Sequence, residues 1–129
     1  MPAALKRVHQ IAQRADDLDR AVVFYRDTLG VALIARFDPP GLAFFDLGNT
    51  RLLLEGGAAS VVLYLEVDDI DATYRSLQAL GVEFVDEPHR IHRDDAGHFG
   101  PVGGEEWMVF FNDSEQNLLA LVERRAQAC

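Results

Sequence analysis

One segment of this chain occurs twice, and that repetition restricts the fold more than any other feature. Asp16-Asp17-Leu18-Asp19 leads through an apolar-periodic run to Leu29-Gly30-Val31, and Asp68-Asp69-Ile70-Asp71 leads through a similar run to Leu80-Gly81-Val82. The copies are offset by 52 residues at the aspartates and by 51 at the glycines, which predicts a second helix one residue shorter than the first. The match continues downstream. Phe44-Phe45-Asp46 and Leu52-Leu53-Leu54-Glu55 are echoed by Phe110-Phe111-Asn112-Asp113 and Leu118-Leu119-Ala120-Leu121-Val122-Glu123. Two copies are too few for a solenoid, so two similar modules sharing one core are expected. A chain of 129 residues has room for one domain. It is read as residues 1–129, with module one over 5–57 and module two over 60–125.

Taken in order, Val8 to Ala15 reads as a strand. Asp16 and Asp17 favour a helix start, because a carboxylate accepts orphan N–H groups and faces the positive helix end. Leu18, Val22, Tyr25 and Leu29 fall at helical spacing, and Gly30 is the expected stop. Val31 to Phe37, Leu42 to Leu47 and Arg51 to Glu55 read as strands, separated by turn signals at Asp38-Pro39-Pro40-Gly41 and Gly48-Asn49. The second copy gives a strand at Val61 to Val67. A helix striped by Ile70, Tyr74, Leu77 and Leu80 follows, with a stop at Gly81. Further strands are expected at Val82 to Val85, Trp107 to Phe111 and Leu118 to Val122. Asp86 to Glu106 has no counterpart of that length in module one and reads as a solvated loop. The result is an α+β fold, β-α-β-β-β twice, expected to form a curled eight-stranded mixed sheet with helices outside.

Strand parity then assigns faces. Val61, Leu63, Leu65 and Val67 are all apolar and should pack on the helices, leaving Val62, Tyr64 and Glu66 on the other face. Ala15 matches Val67, so Gln10, Ala12 and Arg14 share the non-helix face. Gln10, Arg14, Tyr64 and Glu66 are therefore expected to line the inner surface of the curl. Tyr64, Met108 and Phe110 read either as an aromatic and thioether wall for a planar ligand or simply as core.

Charge and cysteine content narrow the function classes. Twelve basic against 21 acidic side chains give a net charge of −9, against nucleic acid or an anionic membrane as partner, since both need a positive face. The lone Cys129 excludes an intrachain disulfide and fits a reducing cytoplasm. Met1 to Arg7 lacks an apolar run, so no signal peptide is expected, and no stretch approaches a transmembrane span. No phosphate loop or nucleophile elbow is present.

The doubled βαβββ order, the Asp-Asp-Leu-Asp helix start and the Asn117-Leu118-Leu119-Ala120-Leu121-Val122-Glu123 ending resemble the vicinal oxygen chelate superfamily. That group includes glyoxalase I, methylmalonyl-CoA epimerase, extradiol dioxygenases and bleomycin-binding resistance proteins. The resemblance covers about residues 5 to 125, and the scaffold hosts several chemistries. It implies a divalent metal, such as Ni, Zn, Co or Fe, held by the first and fourth strands of each module and acting as a Lewis acid. Mapped onto this chain, the four ligand positions fall at Gln10, at Leu52 or Leu53, at Val62 and at Ala120. One amide among hydrocarbons cannot hold such an ion. Glyoxalase I can carry Gln at the first position, and Arg14 resembles the arginine that binds the carboxylate of its thiol adduct.

The expectation is therefore a cytoplasmic small-molecule binding protein without metal or other cofactor and without a catalytic residue. It would be a homodimer, as many relatives are, holding an aromatic or amphiphilic metabolite or an antibiotic. The ligand-binding set is Gln10, Arg14, Tyr64, Glu66, His92, Trp107, Met108 and Phe110, with His92 or Trp107 touching the ligand from a lid formed by Asp86 to Glu106. The alternative is a metal-dependent lyase or isomerase resembling glyoxalase I or methylmalonyl-CoA epimerase. A third option is a metal-free isomerase with His92 or Glu66 as base. Arg14 and Glu66 occupy equivalent positions and read either as a salt bridge or as a grip on an acidic ligand. His9 reads as a partly buried structural histidine. His89, His92 and His98, with Asp94, Asp95, Glu105 and Glu106, read first as loop residues and second as a displaced metal or acid/base cluster.

Overall fold

The computed structural model describes residues 5–126; Met1 to Ala4 and Gln127 to Cys129, the lone cysteine included, lie outside them. The chain separates after Val61 into two units that follow the two copies of the repeat. In the first, β1 (Gln10–Arg14) is followed by α1 (Leu18–Val23), a π-helical turn (Phe24–Thr28), β2 (Ala32–Phe37), β3 (Leu42–Asp46) and β4 (Arg51–Glu55). In the second, β5 (Leu63–Glu66) is followed by α2 (Ile70–Ala79), β6 (His89–Asp94), β7 (Gly104–Asn112) and β8 (Leu118–Arg125). The eight strands form two sheets of four, ordered β1-β4-β3-β2 and β5-β8-β7-β6. The first strand of each unit runs parallel to the fourth and the remaining pairs are antiparallel.

The paired aspartates act as helix caps. Asp17 accepts the N–H of Arg20, and Asp69 that of Ala72. Each satisfies a donor that the first turn of a helix leaves without an internal partner. Gly30 and Gly81, with φ of 74° and 92°, take the left-handed conformation that ends each helix. The extra residue of the first helix is absorbed as a π turn, in which Leu29 N–H reaches the Phe24 carbonyl at 2.9 Å. A one-residue insertion is accommodated that way without rotating the flanking turns off their faces.

Each unit has its own apolar layer between helix and sheet. Ala21, Val22, Tyr25, Ala43, Phe45, Leu52 and Leu54 are buried in the first, with the Tyr25 and Phe45 rings 5.9 Å apart. Leu63, Ile70, Leu77, Val109, Phe111, Leu119 and Leu121 are buried in the second, where Phe84 packs between Tyr74 and Phe111 at 4.6 and 5.3 Å. Burial of each large side chain contributes roughly 1.5–3 kcal/mol. Leu80, placed on the stripe by its spacing, is instead 60% exposed.

The largest departure from expectation is in the second unit. Val82 to Val85 forms no strand; only Phe84 bridges to Phe111. The strand is β6, inside the segment read as a loop. Its sequence, His-Arg-Ile-His-Arg-Asp, has no apolar alternation because it is a sheet edge, exposed up to Asp94. Charged side chains on an edge also discourage pairing with other chains. Both units carry a bulge in this strand, at Ile34 of β2 and at Ile91 of β6. Strands β7 and β8 both extend beyond the expected limits, β7 back to Gly104 and β8 on to Arg125.

Candidate functional site

Register fixes what each sheet presents away from its helix. In the first unit Gln10 pairs with Arg51, Ala12 with Leu53, Arg14 with Glu55, and Phe44 with Leu53. Leu53, not Leu52, therefore shares the open face with Gln10. The Gln10 amide oxygen accepts from Arg51 Nε at 2.8 Å, and the Arg51 guanidinium lies 5.4 Å from the Phe44 ring centre. Arg14 Nε stands 3.7 Å from Asp16. Gln13, on the helix side, is fully buried; its amide both donates to and accepts from the Val61 backbone at 2.8 Å, standing in for a strand partner. His9 is exposed rather than part-buried, with a ring nitrogen 3.4 Å from Arg51 Nη2.

In the second unit Tyr64 pairs with Ala120 and Glu66 with Val122, while Phe110 and Met108 face the same two β8 residues from β7. This open face carries a cavity of about 460 Å³. Tyr64, Met108 and Val122 form its floor and Phe99 one wall; Glu66, Glu106 and Arg124 supply the polar rim. Phe110 abuts Tyr64 edge-to-face at 6.1 Å. His92 is the register partner of Glu106, and its ring lies 6.4 Å from Phe99.

Trp107 is on the other face. Its indole N–H donates to Glu105 at 3.0 Å, and the Arg125 guanidinium stacks 4.0 Å from its ring centre. Arg125 in turn pairs with Asp71 on α2 at 2.8 Å. The expectation that Trp107 faces the same space as Met108 fails for the parity reason used elsewhere: neighbours along a strand point opposite ways.

The wall bearing Phe99 is fixed by Asp94. This carboxylate is fully buried and accepts the backbone N–H groups of His98 and Phe99, at 2.8 and 2.9 Å, and Arg124 Nη2 at 2.9 Å. Those bonds, led by the one from Phe99, outweigh the cost of burial and lower its pKa from 3.8 to about 2. Arg124 lies against Gly100 and Gly104. A Cβ at Gly104 would come within 2.5 Å of the guanidinium. Segment 86–106 is thus a strand, a stapled turn and the start of β7 rather than an irregular loop. His89 contacts Asp86 at 3.6 Å, and His98 packs its ring on Phe99.

Phe99, Glu106, Val122, Arg124 and Asp94 were absent from the expected binding set. Val122 and Arg124 continue the period-two series from Ala120, and Glu106 continues it from Met108. Those signals became usable only with the true strand lengths. Nothing local marks Asp94, whose partners depend on how the turn closes.

A model of the Glyoxalase/Bleomycin resistance protein/Dioxygenase superfamily matches residues 7–121. The chain belongs to this superfamily. The uncharacterized protein YraH of Bacillus subtilis (strain 168) is 27% identical, over 87% of this chain and 94% of that protein. A lactoylglutathione lyase from Agrobacterium tumefaciens superposes with a TM-score of 0.66 at 26% identity, covering 95% of this chain and 94% of that one. The antibiotic binding protein TnmS3 from Streptomyces sp. CB03234 superposes with a TM-score of 0.70 at 23% identity, over 95% and 98%.

The divalent ion that the superfamily's enzymes use can be tested against the donors present. On the open faces of the two sheets, the corresponding positions hold Gln10, Leu53 and Ala120, and Val62 lies just before β5. Gln10 already accepts from Arg51. Among the described residues no group of three or more His, Cys, Asp or Glu is placed to hold a metal. Hydrocarbon side chains donate no lone pair, so these positions do not fit the ion. No helix among the described residues is long and apolar enough to cross a membrane.

Proposed function

We propose that this chain is a binding member of the superfamily, holding an aromatic or amphiphilic small molecule over its second sheet without turning it over. The observation that carries this reading is that Leu53 and Ala120 stand on the open faces, and Val62 just ahead of β5, where a metal would need donors. The cavity beside Tyr64, Phe99 and Met108 supplies the apolar contact such a ligand needs. The likeness to TnmS3 is a likeness of fold, and a binding role is compatible with it.

Elemental analysis of protein purified without chelator tests the reading directly. Less than about a tenth of an equivalent of nickel, zinc, cobalt or iron is expected, because a site lacking ionised donors loses a metal on dilution. A stoichiometric ion would overturn the proposal. Ligand binding is best followed by calorimetry or ligand fluorescence, since Trp107 lies on the face away from the cavity.

The second reading, a metal-dependent lyase or isomerase, is favoured by Gln10 and by the likeness to the Agrobacterium enzyme. Under it, Gln10→Ala would abolish a metal-stimulated activity. Under the binding reading the same change removes the contact with Arg51 and changes ligand affinity only modestly.

A further inference from the structure

The rim of the second-unit cavity is charged asymmetrically. Glu66 on β5 and Glu106 on β7 border it from either side of β8, and neither makes a hydrogen bond or ion pair with any described residue of its unit. Arg124, the one cation on the rim among the described residues, is turned to Asp94: Nη2 donates to the Asp94 carboxylate and the Pro101 carbonyl at 2.9 and 3.0 Å, while Nη1 is buried without a hydrogen-bond partner. Its charge is cancelled by a buried partner that lies behind it. The apolar floor and two unspent carboxylates therefore face the same space. Tyr64, 58% exposed, adds a ring whose π face attracts cations.

Resting on the binding reading above, we propose that the ligand is a planar aromatic molecule bearing a basic amine. The ring system lies on Tyr64, Met108 and Val122, against Phe99. The ammonium reaches Glu66 and Glu106, each of which offers two acceptor oxygens and is strengthened by the ionic donor. A neutral aromatic gains only the apolar contact. An anionic one meets two like charges, while the charge of Arg124 is balanced by its ion pair with Asp94.

A matched set of anthracenes separates the parts of this proposal: 9-(aminomethyl)anthracene, 9-anthracenemethanol and 9-anthracenecarboxylate, titrated with the full chain at pH 7 and low salt and read by anthracene emission. The ammonium compound is expected to bind about tenfold more tightly than the alcohol and the carboxylate more weakly than either. That preference should shrink as salt screens the rim. In Glu66→Gln/Glu106→Gln protein the ratio of ammonium to alcohol affinity should fall to near one. A ratio between two probes on the same sample does not depend on how much of the variant is folded. Equal binding of all three, a preference for the carboxylate, or a preference that survives the double substitution would overturn the amine assignment and leave the binding reading standing. Failure of every probe to bind at millimolar concentration would remove both.

Discussion

Gln116 has φ of 65°, a conformation that costs a residue with a Cβ roughly 1–2 kcal/mol relative to glycine. It is held there by its neighbours. Asp113 accepts from the backbone N–H of Glu115 and Asn117 at 2.8 and 2.9 Å, and from the Asn117 amide at 2.9 Å. Gln116→Gly is expected to raise stability by about 1 kcal/mol in urea unfolding, with the same dependence on denaturant. Asp94 is the other residue whose environment departs most from that of a free side chain. Its pKa is about 2 when folded and 3.8 ordinarily, so the folded state binds fewer protons between those values. Its contribution is complete above about pH 5 and is lost as pH falls towards 2. Asp94→Asn should flatten the fall of unfolding free energy between pH 5 and 2 and leave the profile above pH 5 parallel to the parent's.

Among the elements, the first helix carries the clearest lesson. The repeat offsets differ by one residue, and the structure places that residue in the turn Phe24–Thr28. Removing the exposed Asp27 should convert the turn to regular helix of the second unit's length, at the cost of its surface pair with Arg26. The thermal midpoint is expected to move by about 5 °C or less, an effect on the order of 1 kcal/mol. Removing Thr73 from α2 should cost much more, because there the deletion rotates Leu77 off the core. Helices and central strands were readable because burial imposes a period on their side chains: Tyr25, Leu77 and Phe45 all sit where spacing puts them. Strand β6 was not readable, since an edge strand needs only backbone partners and its exposed side chains follow no period. Val82 to Val85 misled for the converse reason. Phe84 is apolar because it packs between two rings, not because it belongs to a ladder.

At the scale of the whole molecule, an excess of nine acidic charges repels itself. Raising sodium chloride from about 10 to 300 mM should lift the thermal midpoint by a few degrees, because screening weakens repulsion between exposed charges more than it weakens the buried Asp94–Arg124 pair. A midpoint that falls with salt would show surface pairing to dominate instead. The doubled βαβββ order, the helix caps and the poverty of metal donors were all present in the residues themselves. Repetition, capping and side-chain chemistry are local properties, and counting suffices to find them. The cavity was a different matter. Tyr64, Glu66 and Met108 could be placed on one face by parity, and Glu106 and Arg124 follow once the strands are known to reach them, but Phe99 joins them only because a buried carboxylate closes the turn after β6 over Gly100 and Gly104. That closure depends on groups thirty residues apart, Asp94 and Arg124, meeting in space. No pattern along the chain records such a meeting, so it belonged to the tertiary structure alone.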